Sequence, residues 1–260
     1  MLISEESPKR IREVIRNGNY RGDTANLAPG RVQANLVILK KDLALDFLSF
    51  CTVNPKPCPV IEVTTPGDPV PRISAPDADI RTDLGHYRVF KHGKLIEECS
   101  DIKSYWNDDM VAFLIGCSYS FEWILRSADI PLRHVQENCT VPVYKTNIQL
   151  NQVGVFKGTM AVSMRPLKPD YAIRAIQITS RYPLVHGAPV HMGFSEQIGI
   201  DINQPDFGNV VTIKDGELPL FWGCGVTPQI VAMESGVEFM ITHSAGRMFI
   251  TDLFVKDFGI

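Results

Sequence analysis

Apolar residues recur at helical spacing early in the 260-residue chain and as alternating or continuous runs through much of its second half. Ile11, Val14 and Ile15 form the first stripe. Ser7 and Pro8 supply its opening signals and Asn17-Gly18 its stop, so a helix is predicted there. Leu43, Phe47 and Leu48 repeat the spacing within "GRVQANLVILKKDLALDFLSFCTVNPKPCP", which must end at Asn54-Pro55. "VIEVT" (60–64) reads as a strand, and "HYRVFKHGKLIEEC" as a hairpin turning at His92-Gly93. "MVAFLIGC" is the unbroken run of a buried strand. "FEWILRSA" puts Phe121, Ile124 and Leu125 on one helical face. Further strands are predicted in "TVPVYKTNI", "GTMAVSMRP", "AIRAIQITSRYP", "VVTIKDGELPLFWGC", "EFMITH" and "RMFITDLFV". Residues 65–83, "TPGDPVPRISAPDADIRTD", form a Pro-rich irregular connection, a kind of segment that often serves function or an interface.

No internal repeat, low-complexity tract or flexible linker divides the chain. The pattern describes an α+β protein: a single compact body of mixed β-sheets, with helices concentrated in the N-terminal half. One domain over residues 1–260 is expected, with two intertwined subdomains, about 1–135 and 136–260, as the finest division.

Composition narrows the function classes. With 45% hydrophobic and 21% charged residues the chain is ordinary for a globular protein. A net charge of −3 without a basic block argues against nucleic acid and against an anionic membrane surface. "MVAFLIGC" is too short to cross a bilayer, and "MLISEESPKRIREVIRNG" lacks the apolar core of a secretory signal. Six scattered cysteines contain no C-x-x-C, so neither a zinc ribbon nor a disulfide framework is indicated. A cytoplasmic protein with reduced thiols follows as the expectation. The Pro-rich connection leaves a homo-oligomer open.

The strongest local feature is "FLIGCSYSFE" (113–122), an apolar strand running into a helix. A helix start offers free N–H groups to an anion. Ser118 and Ser120 either cap the helix or bind that anion. Cys117 there is a candidate for a lowered pKa, though a small buried thiol is the commoner role. Glu122 lies in the first turn, either complementing the helix dipole or transferring a proton. Arg165 in "SMRP" and Arg181 in "TSRYP" carry forks suited to carboxylates, and surface salt bridges are the plainer reading of each. Tyr144 and Asn147 sit in "PVYKTN", Gln229 in the glycine loop "FWGCGVTPQ", and His243 with Asp252 in "THSAGRMFITD". His186 and His191 bracket Gly-Ala-Pro-Val. Five residues apart, they diverge on a helix and face opposite ways on a strand, so only a turn brings them together. By itself that turn reads as a loop with one core or surface histidine. No P-loop, G-x-G-x-x-G, G-x-S-x-G or H-E-x-x-H occurs, and no metal or cofactor is expected. The combination describes polar loops at strand ends that suit a small anionic metabolite.

An ordered series of segments is more specific than any of these. "APGRVQANLVIL", "NPKPCP", "DIRTDL", "VAFLIGCSYSFE", "RHV", "VPVYKTN", "VSMRP", "AIQITSRYP", "HGAPVHMG", "FWGCGVTPQ" and "ITHSAGRMFITD" together resemble the D-glutamate cyclase family over nearly the whole chain. The resemblance implies a cytosolic hydro-lyase that acts on a small carboxylate and closes D-glutamate to 5-oxo-D-proline. It departs at Ala245 and Arg247, where the family pattern has proline and histidine, at Phe194-Ser195 in place of Asp-Pro, and at Asn209 in place of aspartate.

Placed on those segments, side-chain chemistry assigns Arg165 and Arg181 to carboxylates. The Ser118–Ser120 helix start takes an anion or tetrahedral intermediate, with Cys117, Tyr144, Asn147, Gln229 and His243 as further substrate contacts. His191 or His186 becomes the acid–base group and Glu122 its relay, so the histidine turn is favoured as a site loop. Two rivals stand beside this reading. One is a non-catalytic protein binding 5-oxoproline or an amino acid. The other is a metal-dependent lyase or hydrolase using His186, His191, His243 and Asp252.

Overall fold

The computed structural model describes Ile3 and residues 6–260. Its first helix, α1 (Pro8–Arg16), is capped as the sequence indicates: the Ser7 hydroxyl accepts from the Arg10 N–H at 3.3 Å. β1 (Arg31–Lys40) runs straight into α2 (Lys41–Val53), which stops at Asn54. β2 (Val60–Val63), the hairpin β3 (Tyr87–Lys91) and β4 (Lys94–Cys99), then β5 (Met110–Gly116) follow. After α3 (Ser118–Ser127) and the single turn α4 (Arg133–Gln136) come β6 (Val143–Gln149), β7 (Thr159–Leu167) and α5 (Pro169–Thr179). The chain ends with β8 (His191–Met192), β9 (Leu218–Gly223), α6 (Thr227–Ser235), β10 (Phe239–His243) and β11 (Phe249–Phe254).

These strands form two antiparallel sheets, confirming an α+β body. The seven-stranded sheet runs β2-β5-β1-β10-β3-β4, with β11 also paired to β1. The four-stranded sheet runs β6-β7-β9-β8. Among the described residues four helices precede residue 137 and two follow it, but five strands also precede Ser118. β10 and β11 return from the C-terminal end to the sheet built by the first five strands, so that sheet draws on both halves of the chain.

β1 is the centre of the larger sheet and is buried along nearly its whole length. Its polar Gln33 and Asn35 hide it in the sequence, yet both are satisfied in the core. Gln33 Nε2 donates to Thr24 O at 2.8 Å, and Asn35 Nδ2 donates to Gly116 O at 2.7 Å. One face packs on Ala75, Ala78 and Ile80 of the Pro-rich connection and on Leu84 just after it; the other packs on Phe47, Phe50 and Phe156.

Two predicted strands are corrected. Residues 169–179 form a helix, with Pro169 at its first position and Ala172, Ala175 and Thr179 buried. The core-facing positions are small, while the Ile residues that suggest a strand are exposed or half-buried. In "VVTIKDGELPLFWGC" only Leu218–Gly223 is extended in a sheet; residues 210–217 are irregular.

α3 and α6 join the sheets. The Gln33 N–H donates to Ser120 Oγ at 2.9 Å, fixing α3 to β1, while Phe121 and Leu125 pack with Leu220 and Trp222 of β9. Thr227 Oγ1 at the start of α6 accepts from Ala161 N of β7 at 3.0 Å. Among the described residues no helix is long and apolar enough to cross a membrane.

Candidate functional site

The junction from β5 to α3 brings together one cluster of buried charged groups. Glu122 projects from α3 toward Arg165 on β7 and His134 on α4, and all three are buried. Arg165 Nε donates to Glu122 Oε1 at 3.0 Å, and its Nη2 makes a second contact to the same oxygen. Nη2 also reaches Ser118 Oγ at 3.1 Å, and Nη1 reaches Ser163 Oγ at 2.9 Å. His134 Nε2 lies 3.2 Å from Glu122 Oε2. Burial alone would raise the Glu122 carboxyl, but the charges and hydrogen bonds of His134 and Arg165 override it and hold the group at about 2. An ionised carboxylate only accepts, so His134 Nε2 carries the shared hydrogen and Nδ1 is the nitrogen left to exchange a proton.

His134 opens onto a cavity of about 370 Å³, whose wall also includes Asp23, Tyr119, Thr140 and Asn209. Asp23 Oδ1 accepts from Ala25 N at 2.7 Å; Oδ2 accepts from Thr140 Oγ1 at 3.1 Å and Tyr119 Oη at 3.4 Å. Burial is the largest influence on the Asp23 carboxyl and raises it despite these donors. Tyr119 and Thr140 also wall an inner recess of about 30 Å³ with Asn35, Cys117, Ser118, Cys224 and Gly246. The start of α3 therefore faces the recess, and the cavity lies outside it. Gly246 has φ +79°, and a Cβ there would come within 2.7 Å of Asp23 Oδ2, so glycine keeps this wall open.

The candidate residues fall into three groups. Glu122, Arg165, Ser118 and Cys117 converge at the α3 start. Arg165 is fully enclosed by protein partners and reaches a ligand only through Ser118 and its electric field. The lowered pKa expected for Cys117 is corrected. Burial drives its thiol upward, outweighing the Tyr119 N–H and the Arg165 charge, and Cys224 is likewise pushed up to about 11.

A second group does structural work nearby. Ser120 is tied to β1 through Gln33. Gln229 accepts from Arg88 Nη1 at 2.8 Å and donates to His243 O at 2.7 Å. His243 is buried where β1 exchanges β10 for β11, its Nδ1 accepting from Leu36 N at 3.2 Å. His186 is buried at φ +81°, donating from Nδ1 to Lys56 O at 2.7 Å. Burial lowers both histidines to about 4.

The third group lies apart. His191 and Tyr144 occupy the face of the smaller sheet opposite Arg165: His191 pairs with Phe221 and that with Met164, the neighbour of Arg165. His191 Nε2 contacts Phe194 O at 2.9 Å, and Tyr144 Oη donates to Ile202 O at 2.8 Å. Asn147 is exposed beside Gly199. Arg181 is exposed and holds the last residue through Ile260 O at 3.2 Å. His186 and His191 thus do not converge. Asp252 pairs with Arg12 at 3.1 Å, away from His243. Among the described residues no three His, Cys, Asp or Glu side chains gather as metal ligands would.

Sequence reasoning passes over Asp23 and His134. The tripeptide "RHV" holds His134, but nothing local distinguishes it; its role comes from Glu122 twelve residues earlier. Asp23 becomes notable only because Thr140 and Tyr119 fold onto it. Of the departures in the family pattern, Asn209 lines the cavity and Ala245 the recess.

Comparison with known proteins gives one consistent family. Residues 111–252 match the family model described as D-glutamate cyclase. A Bacillus licheniformis protein named "Putative hydro-lyase" is 57% identical over 100% of both chains. Bacillus subtilis YcsI, under the same heading, is 56% identical across 95% of this chain and 96% of its own. A Geobacillus kaustophilus relative is 55% identical across 98% and 97%. A solved nitrogen repressor-like protein from Methanococcus jannaschii aligns over 94% of this chain and 97% of its own, with 8% identity and a TM-score of 0.40, too low to establish a shared fold.

Proposed function

Because the chain belongs to the D-glutamate cyclase family, we propose that it is a hydro-lyase closing D-glutamate to 5-oxo-D-proline in the cavity beside His134. The names of its relatives support the removal of water as the reaction type. The observation that carries the siting is the chain His134–Glu122–Arg165, which leads from the cavity wall into the core. A carboxylate that fixes a histidine tautomer is what a proton-transferring imidazole requires.

The chemistry closes without an added reagent. The amine nitrogen attacks the γ-carboxyl carbon, a C–N bond forms and a C–O bond breaks. The two protons shed by the ammonium group end on the departing oxygen, which leaves as water. His134 accepts a proton from nitrogen and returns it to oxygen, and Glu122 holds the imidazolium between these steps. The recess at the α3 start, with Ser118 backed by Arg165, offers N–H groups and positive field to a carboxylate or to the tetrahedral oxyanion. The wall orients a flexible chain for ring closure, where orientation contributes most of the rate.

The test is an assay with D-glutamate, L-glutamate and both 5-oxoprolines, followed by chiral chromatography. Formation of 5-oxo-D-proline that falls about 10²-fold or more in His134→Asn is expected. Full turnover in that variant would remove His134 from the scheme. A thermal shift with these acids and no product would favour the non-catalytic binding protein.

A further inference from the structure

Among the described residues Asp23 has no counter-charge. Its three hydrogen-bond donors, the Ala25 N–H and the hydroxyls of Thr140 and Tyr119, are all neutral. No ion pair among the described residues includes it. The cavity that it borders has no Lys or Arg in its wall, and the nearest buried carboxylate, Glu122, is already neutralised by His134 and Arg165. A carboxylate accepts about four hydrogen bonds. Oδ2 holds two donors and Oδ1 one, which leaves an acceptor position on Oδ1. A half-buried anion in this setting is stabilised by a cation brought from outside.

We propose that the Asp23 carboxylate receives the primary ammonium group of the ligand, so that the cavity selects α-amino acids over the corresponding acids without nitrogen. Tyr119 and Thr140 fix the carboxylate plane, and the lack of a side chain at Gly246 leaves room for Oδ2 against that wall. The amine then lies in the same cavity as His134, which must take its proton, while a carboxylate is directed to the Ser118 recess. The inference rests on the cavity being the substrate site, and it adds the group that reads the amine.

Binding to wild type and Asp23→Asn tests it, by calorimetry with matched pairs: D-glutamate and glutarate, D-aspartate and succinate, D-glutamine and glutaramate. Asparagine keeps the shape and an acceptor toward Ala25 N, and circular dichroism with thermal melting verifies the fold. Wild type is expected to bind an amino acid roughly tenfold or more tighter than its partner, as a charged hydrogen bond gives. Asp23→Asn should lose that margin while keeping the glutarate affinity within about twofold, a selective loss that a general packing defect does not produce. Equal weakening of both members of a pair, or a wild type without preference for the amine, overturns the proposal. If D-glutamate binds no better than glutarate but another pair shows the Asp23-dependent margin, the ammonium site stands and the D-glutamate reading falls.

Discussion

Glu122 remains ionised in the interior because the guanidinium and imidazole on either side outweigh the cost of burial. That balance is asymmetric. Glu122→Gln leaves Arg165 enclosed by Phe121 and Trp222 with its charge uncompensated. A loss of about 3–5 kcal/mol in folding stability is expected from such a change. Replacing both partners, Glu122→Leu with Arg165→Met, removes the charges together and should cost less than Glu122→Gln alone, yet it should abolish turnover because His134 loses its anchor. Urea denaturation of the single and double variants measures the coupling. Additive losses would mean that the pair contributes nothing beyond its separate packing. The sequence exposes Glu122 and Arg165 as candidates through their residue types but not their pairing, which comes from α3 and β7 meeting across the two sheets.

At the level of elements, what was legible depended on where the pattern was written. α1, the β3–β4 hairpin and β5 declare themselves because their core faces carry large apolar residues and their ends carry turn residues. α5 does not, since its buried face is alanine and threonine. β1 does not, since being buried on both sides lets it carry Gln33 and Asn35 where alternation would normally be sought. The histidine turn is an element-scale device too. A Cβ on Gly116 at the end of β5 would lie 1.9 Å from Leu184 O, so the absence of a side chain is what lets residues 183–187 pack against β5. Lys56 clamps the same turn, its Nζ donating to Ala188 O at 2.9 Å. Gly116→Ala should displace the turn and destabilise the fold by about 1–3 kcal/mol. Because Asn35 bonds the Gly116 carbonyl at the edge of the recess, ligand affinity should fall with it. Unchanged urea midpoint and binding would show that the turn docks elsewhere.

Across the whole molecule two of the buried histidines, His186 and His243, hold the joints. His186 ties the loop between α5 and β8 to Lys56, just past α2, and His243 fills the point where β1 changes partners. Each sits at about 4 when folded, against 6.5 for the free side chain. The unfolded chain therefore binds protons first as pH falls. The stability they contribute is complete above pH 6.5 and is lost progressively toward pH 4, each histidine adding a slope of up to about 1.4 kcal/mol per pH unit. Glu122 follows the same sign at lower pH: its folded value of about 2 against 4.5 makes its contribution fade below pH 4.5. Urea unfolding from pH 7.5 to pH 4.5 should thus show a flat stability followed by a steep fall starting near pH 6.5. His186→Asn, whose side chain tolerates positive φ and keeps a donor toward Lys56, should make that fall shallower while lowering the neutral-pH stability by a smaller amount. An acid limb of unchanged slope in that variant would place the proton uptake on other groups and leave His186 as a packing residue alone.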